Sequence, residues 1–130
     1  LQSMGVTEPT TGTDTTKIKT VAIKKGDKYV VNGQKVWTSY ADKSDWMFCL
    51  VKTDNSVKHG GISLVLFDMK SPGVTARPIK LISGRSPFCE TFLDNVRVDK
   101  DQVVGEINNG WTIAKYLLTH EREMPGTNRK

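Results

Sequence analysis

Cysteine, histidine and long apolar runs are what this chain has least of. It carries two Cys and two His in 130 residues. Cys49, Cys89, His59 and His120 are spaced neither as a CxxC pair nor as a Cys/His ligand set, which excludes a zinc module. Both thiols sit among apolar neighbours, Phe48 and Leu50 around one and Phe88 beside the other, so buried free cysteines in a reducing compartment are expected. No apolar stretch reaches the ~20 residues a bilayer-spanning helix needs, and no secretory signal is expected. Basic residues outnumber acidic ones by 19 to 14 but are spread along the chain. A nucleic-acid face would concentrate them on one element or interleave them with aromatics. Neither nucleic acid nor membrane is therefore an expected partner, whereas an anionic small ligand fits the charge.

What is present reads as one globular domain. Apolar residues make up 37% and charged residues 25% of the chain, ordinary values for a packed core of this length. The opening Leu1-Gln2-Ser3-Met4 resembles an expression-tag remnant and is set aside. Gly5 to Thr16 (GVTEPTTGTDTT) has turn chemistry and no apolar period, which predicts a loop. Lys17 to Lys25 alternates as a strand, followed by a turn at Gly26-Asp27. In Lys28 to Ser39 (KYVVNGQKVWTS), Asn32-Gly33 is the strongest short-range hairpin signal, so a type I′ turn between two antiparallel strands is predicted there. Trp46 to Lys52 is a continuous apolar run, suited to a strand buried on both faces. His59-Gly60-Gly61 and Ser71-Pro72-Gly73 read as turns, Ile62 to Met69 and Val74 to Leu81 as strands. Glu90 to Val98 (ETFLDNVRV) reads as two short strands broken at Asp94-Asn95. The period then switches: Trp111, Ala114, Leu117 and Leu118 mark an amphipathic helix, with Asn108 or Asn109 as cap and Pro125-Gly126 as stop. The expected fold is mainly β, a small barrel or two-sheet domain with one C-terminal α-helix. A lone helix with an apolar stripe further suggests a piece of a larger protein.

Trp37-Thr38-Ser39 sets an indole beside two hydroxyls, which suits a planar ligand with polar edges. On these three residues alone, a core Trp at a strand end is the commoner arrangement. The neighbouring segments shift that balance. VTEPTTGTD, NGQKVWTS, FLDNVRV and GEINNGW, in this order, resemble the middle domain of the acyl-CoA dehydrogenase flavoproteins, over Gly5 to about Arg122. The family forms are a T/S-E-P-x-x-G-S/T-D loop, N-G-x-K-x-W-I-T/S, F-x-D-V-x-V-P and G-x-x-x-x-G-[FW].

The resemblance implies FAD as cofactor and α,β-desaturation of an acyl-CoA thioester as the reaction of the whole enzyme, an oxidoreductase of fatty acid metabolism. It implies cofactor contacts at Val6, Thr7, Trp37, Thr38 and Ser39, and a substrate contact on the thioester's pantetheine side at Thr13. Hydride transfer builds negative charge on the flavin ring, and pre-aimed hydroxyl and N–H donors stabilise it. Glu8 is expected to stabilise the loop, and Asp14 fits turn chemistry or a cap. Glu121, followed by Arg122, resembles the position of the catalytic Glu in the minority of members that carry it on this helix; an exposed charge at a helix end is the alternative. Thr38 stands where Ile is usual, Asp99 where Pro is usual, and Asp42-Lys43 where many relatives have Asn-Gly. By resemblance, residues 5–106 are the middle β domain, 107–124 the first helix of a C-terminal helical domain, 125–130 a truncated tail, and 1–4 the tag remnant. The implied partners are the acyl-CoA substrate, an electron-transfer flavoprotein and further subunits in a homo- or hetero-oligomer. The implied location is cytoplasmic, or the mitochondrial matrix in a eukaryote. A flavin oxidase or monooxygenase on the same scaffold, or a non-catalytic subunit of a mixed oligomer, are the competing functions.

Overall fold

The structure, a computed structural model, describes residues 2–9, 18–54, 56, 61–81, 84 and 87–123, with side chains described as far as 117. Eight strands make one mixed sheet: β1 (Gln2–Gly5), β2 (Val21–Lys25), β3 (Lys28–Ser39), β4 (Trp46–Lys52), β5 (Ile62–Asp68), β6 (Val74–Pro78), β7 (Phe88–Asp99) and β8 (Val103–Val104). Their order is β6-β7-β3-β2-β4-β5-β8, with β1 added to β4 in parallel. One helix, α1 (Gly110–Glu123), follows. The mainly β fold with a single C-terminal helix is thus as expected. The sheet curls, because Val65 and Phe67 of β5 share one apolar cluster with Val96 and Val98 of β7.

The run WMFCLVK is buried on both faces, as its composition predicts. Met47, Cys49 and Val51 enter the inner cluster, while Phe48 and Leu50 belong to a second, outer one. Successive strand residues point to opposite faces, so a strand covered on both sides must be apolar throughout. The outer cover is α1, whose Ala114 is fully buried and whose Trp111, Ile113 and Leu117 pack beside Ile62 and Leu64. Asn108 does not cap that helix with its side chain; its Oδ1 accepts from Thr53 Oγ1 at 2.5 Å and its N–H donates to Ser63 Oγ at 2.7 Å.

Gln2, Ser3 and Met4 of the segment set aside form a strand with Gly5: Ser3 is buried and donates to the Ser39 carbonyl at 3.0 Å, and Met4 joins the outer cluster. Two expectations change. The hairpin does not turn at Asn32-Gly33. It turns at Gly26-Asp27, and β3 runs unbroken through Asn32 and Gly33. Likewise β7 runs through Asp94-Asn95. The reason is that the two turn signals face each other across the sheet. Asn95 sits at φ 51° in a register irregularity, its N–H donating to Asn32 Oδ1 at 2.8 Å and its carbonyl-amide oxygen accepting from Asn32 Nδ2 at 3.1 Å. Residues that tolerate left-handed backbone serve a bulge as readily as a turn. Gly33 is needed for space, since a Cβ there would lie 2.4 Å from Thr20 Oγ1 and 2.6 Å from Thr20 Cα.

Candidate functional site

A second register irregularity builds the site. Lys35 pairs with Thr91 and Thr38 with Cys89, so β3 spends one residue more than β7 over this stretch. The extra residue falls at Val36-Trp37, and Trp37 takes φ 60°. Left-handed backbone is rare for a bulky side chain and costs on the order of 1–3 kcal/mol. The bulge reverses the in–out alternation. Lys35 and Thr38 both point inward, and Trp37 and Ser39 are both exposed. Trp37 is 51% exposed and meets the Phe88 ring edge-on, centroids 5.8 Å apart. The bulge thus leaves the indole as exposed apolar surface outside the core.

The bulge also recruits the first loop. Val36 N–H donates to the Thr7 carbonyl at 2.8 Å. Thr7 is therefore tied to β3 at Val36, the residue before Trp37. Val6 is half-buried in the outer cluster, and its carbonyl accepts from Lys35 Nζ at 3.4 Å. Ser39 is exposed on the Trp37 face and pinned through its carbonyl by Ser3.

Thr38, expected as a cofactor contact, turns its side chain inward. It is fully buried, and its hydroxyl donates to the Cys89 carbonyl or pairs with Thr91 Oγ1, each at 2.9 Å. Its side chain supports the barrel interior beneath the site. Thr13 and Asp14 lie outside the described residues, and Glu121 lies in the last turn of α1, where side chains are not described.

Under the loop sits a buried ion pair that sequence reasoning had half found. Glu8, expected to stabilise the loop, does so: it is 3% exposed and its Oε2 accepts from Lys35 Nζ at 2.8 Å. Its carboxylate also accepts from the backbone N–H groups of Lys19 at 2.6 Å and Thr20 at 3.0 Å. Burial alone would push this acid up, but the Lys35 charge and the hydrogen bonds from Lys35, Lys19 and Thr20 outweigh it and hold Glu8 below its ordinary value. Lys35, with no exposed side-chain surface, stands at the K of the N-G-x-K-x-W form, which assigned it no role. The available signal was its phase: it lies two and four residues from Gly33 and Val31, on Val31's inward face. Burial pushes the Cys49 thiol up to about 11 and raises that of Cys89, leaving both unreactive. A shallow hollow of about 300 Å³ lies past the end of β3, lined by charges of both signs (Asp42, Lys43, Asp45, Lys70), and includes none of the predicted contacts.

Among the described residues no group of His, Cys, Asp and Glu could hold a metal ion. Among the described residues no helix is long and apolar enough to cross a membrane. The surface that remains is a flat apolar wall bordered by Thr7 and Ser39. It suits a planar ring with polar edges.

The chain matches a family model described as acyl-CoA dehydrogenase, middle domain, over residues 3–96. Acyl-CoA dehydrogenase IpdE1 of Mycobacterium tuberculosis is 45% identical over 123 residues, which is 94% of this chain and 32% of that protein. A solved structure of the Tcur3481-Tcur3483 steroid ACAD has a TM-score of 0.86 at 36% identity, covering 94% of this chain and 32% of its own. The ChsE4-ChsE5 complex from Mycobacterium tuberculosis has a TM-score of 0.81 at 37% identity, covering 92% and 31%. The chain thus spans about a third of the length of these three relatives.

Proposed function

Since this chain belongs to the acyl-CoA dehydrogenase family, as its middle domain, we propose that it forms one wall of the FAD and thioester site in an enzyme that desaturates acyl-CoA thioesters. The family is FAD-dependent. The observation that carries the reading is the outward indole of Trp37 on a left-handed bulge, with the Thr7 carbonyl held by the N–H of the preceding residue, Val36.

FAD, when bound, supplies a hydride acceptor. The chain's part is to seat and shield it. Trp37 gives the ring an apolar wall that keeps water away. Thr7 and Ser39 border that wall with hydroxyls and backbone donors, which stabilise charge gathering on a planar heterocycle. Val6 contributes through its backbone, and Thr13 faces the thioester arm. Glu121 takes the proton from the substrate's α-carbon. An electron-transfer flavoprotein would accept the electrons, and the enzyme would work in the cytoplasm, or the mitochondrial matrix in a eukaryote, as a homo- or hetero-oligomer; the complex named for ChsE4-ChsE5 supports the latter.

The test uses the full-length parent protein. It should purify with FAD and bleach the flavin on anaerobic addition of an acyl-CoA. Glu121→Gln should retain flavin and lose turnover. A parent that binds no FAD would refute the assignment, and near-normal turnover of Glu121→Gln would remove that residue from the mechanism.

A further inference from the structure

We propose that Lys35 is a positioning residue for the flavin wall: its buried ammonium, clamped on Glu8, presents Thr7 to the cofactor beside Trp37. The proposal rests on the reading of the Thr7–Trp37 face as the flavin site and adds a residue that touches neither cofactor nor substrate.

Two consecutive residues of β3 hold three consecutive residues of the loop. Lys35 Nζ reaches the Val6 carbonyl at 3.4 Å, Val36 N–H reaches the Thr7 carbonyl at 2.8 Å, and Lys35 Nζ reaches Glu8 Oε2 at 2.8 Å. Thr7 is thus fixed from both flanks and at its own carbonyl. Glu8 then binds the N–H groups of Lys19 and Thr20. One carboxylate thus joins Lys35 of β3 to the backbone of Lys19 and Thr20.

Packing alone does not call for a charge here. Lys35 shares the inward face of β3 with Val31, and its stem gathers with Met47 and Cys49 around Gly5. An apolar side chain of similar length would fill that space without the desolvation a buried ammonium incurs. What an apolar residue would lack is the directed grip on Val6 and Glu8. A buried pair retained where packing could replace it is spent on geometry, and the geometry it sets is that of Thr7.

The experiment compares FAD affinity and thermal stability in the full-length holoenzyme for Lys35→Met, Glu8→Gln and the double variant. Each single variant should raise the FAD Kd by about tenfold or more and lower Tm, because a buried charge loses its partner. In the double variant no charge is left unpaired, so most of the lost Tm should return while the Kd stays raised and the flavin absorption envelope stays altered. Lys28→Ala, which breaks an exposed ion pair with Asp99 at the far end of β3, should leave the Kd within about twofold. A Kd that follows Tm through all three variants and recovers in the double one would overturn the proposal and leave Lys35 a structural residue. So would single variants that bind FAD as the wild type does. Should the single variants fail to fold, the double variant decides alone. A wild-type parent without FAD is a different result: it would overturn the functional reading, and the proposal with it.

Discussion

Replacing Gly110 with alanine sets two effects of opposite sign against each other. Gly110 opens α1, and alanine gains up to about 1 kcal/mol over glycine in a helix. By propensity the variant should be more stable. The structure predicts the reverse. A Cβ at this position would lie 2.3 Å from Leu64 N, 2.3 Å from the Ser63 carbonyl carbon and 2.7 Å from Ser63 Cα. These are backbone atoms of β5 and cannot swing aside. The approach is roughly an ångström inside the usual 3.5–4.0 Å carbon separation, so α1 must lift away from the sheet. Lifting it loosens Ala114, Trp111, Ile113 and Leu117 from Ile62 and Leu64 together. Overpacking of this kind costs about 1–3 kcal/mol and exceeds the propensity gain. Urea denaturation monitored by circular dichroism should show a lower midpoint with an unchanged slope. A midpoint at or above wild type would mean that the helix is not seated on β5 as described. In the full-length protein the same variant displaces the helix that carries Glu121, so turnover should fall while FAD remains bound.

Three further outcomes follow from the site. Glu8 has a depressed folded-state pKa, so it contributes stability above its ordinary value of 4.5 that is lost as pH falls through the folded value; the Tm gap between wild type and Glu8→Gln should be widest near neutrality and close in acid. Trp37→Gly relieves the left-handed strain, about 1–3 kcal/mol, and forfeits the edge contact with Phe88, about 0.5–1.5 kcal/mol; fold stability in urea should change little while FAD affinity in the parent protein drops more than about tenfold. Thr38→Val removes a buried hydroxyl and leaves the Cys89 carbonyl and Thr91 Oγ1 short of a partner, costing about 1–3 kcal/mol; flavin titration should show no change, since that side chain is buried in the core.

Much of the architecture is legible because burial on two faces leaves a compositional mark. WMFCLVK and ISLVLFD have almost no polar residue to expose, and both are sandwiched between the inner cluster and α1. The helix likewise announces itself through a change of period. The bulges are not legible. Asn32-Gly33 and Asp94-Asn95 carry the chemistry of turns, and only their meeting across β3 and β7 makes them a bulged crossing instead. The single extra residue at Val36-Trp37 has the same effect on the site: strict alternation puts Trp37 inside and Thr38 outside, and the structure has them reversed. Lys35 was hidden for a related reason. A lysine in a strand reads as surface until its phase with Val31 is followed, and its partner lies in a distant loop.

The most direct measurement is a crystal structure of the full-length parent protein with FAD bound. The account predicts the Trp37 indole and Thr7 both in van der Waals contact with the isoalloxazine, Thr38 still bonded to Cys89 and Thr91, and the Lys35–Glu8 pair intact beneath. A flavin seated elsewhere, with Trp37 facing solvent or another subunit, would contradict it.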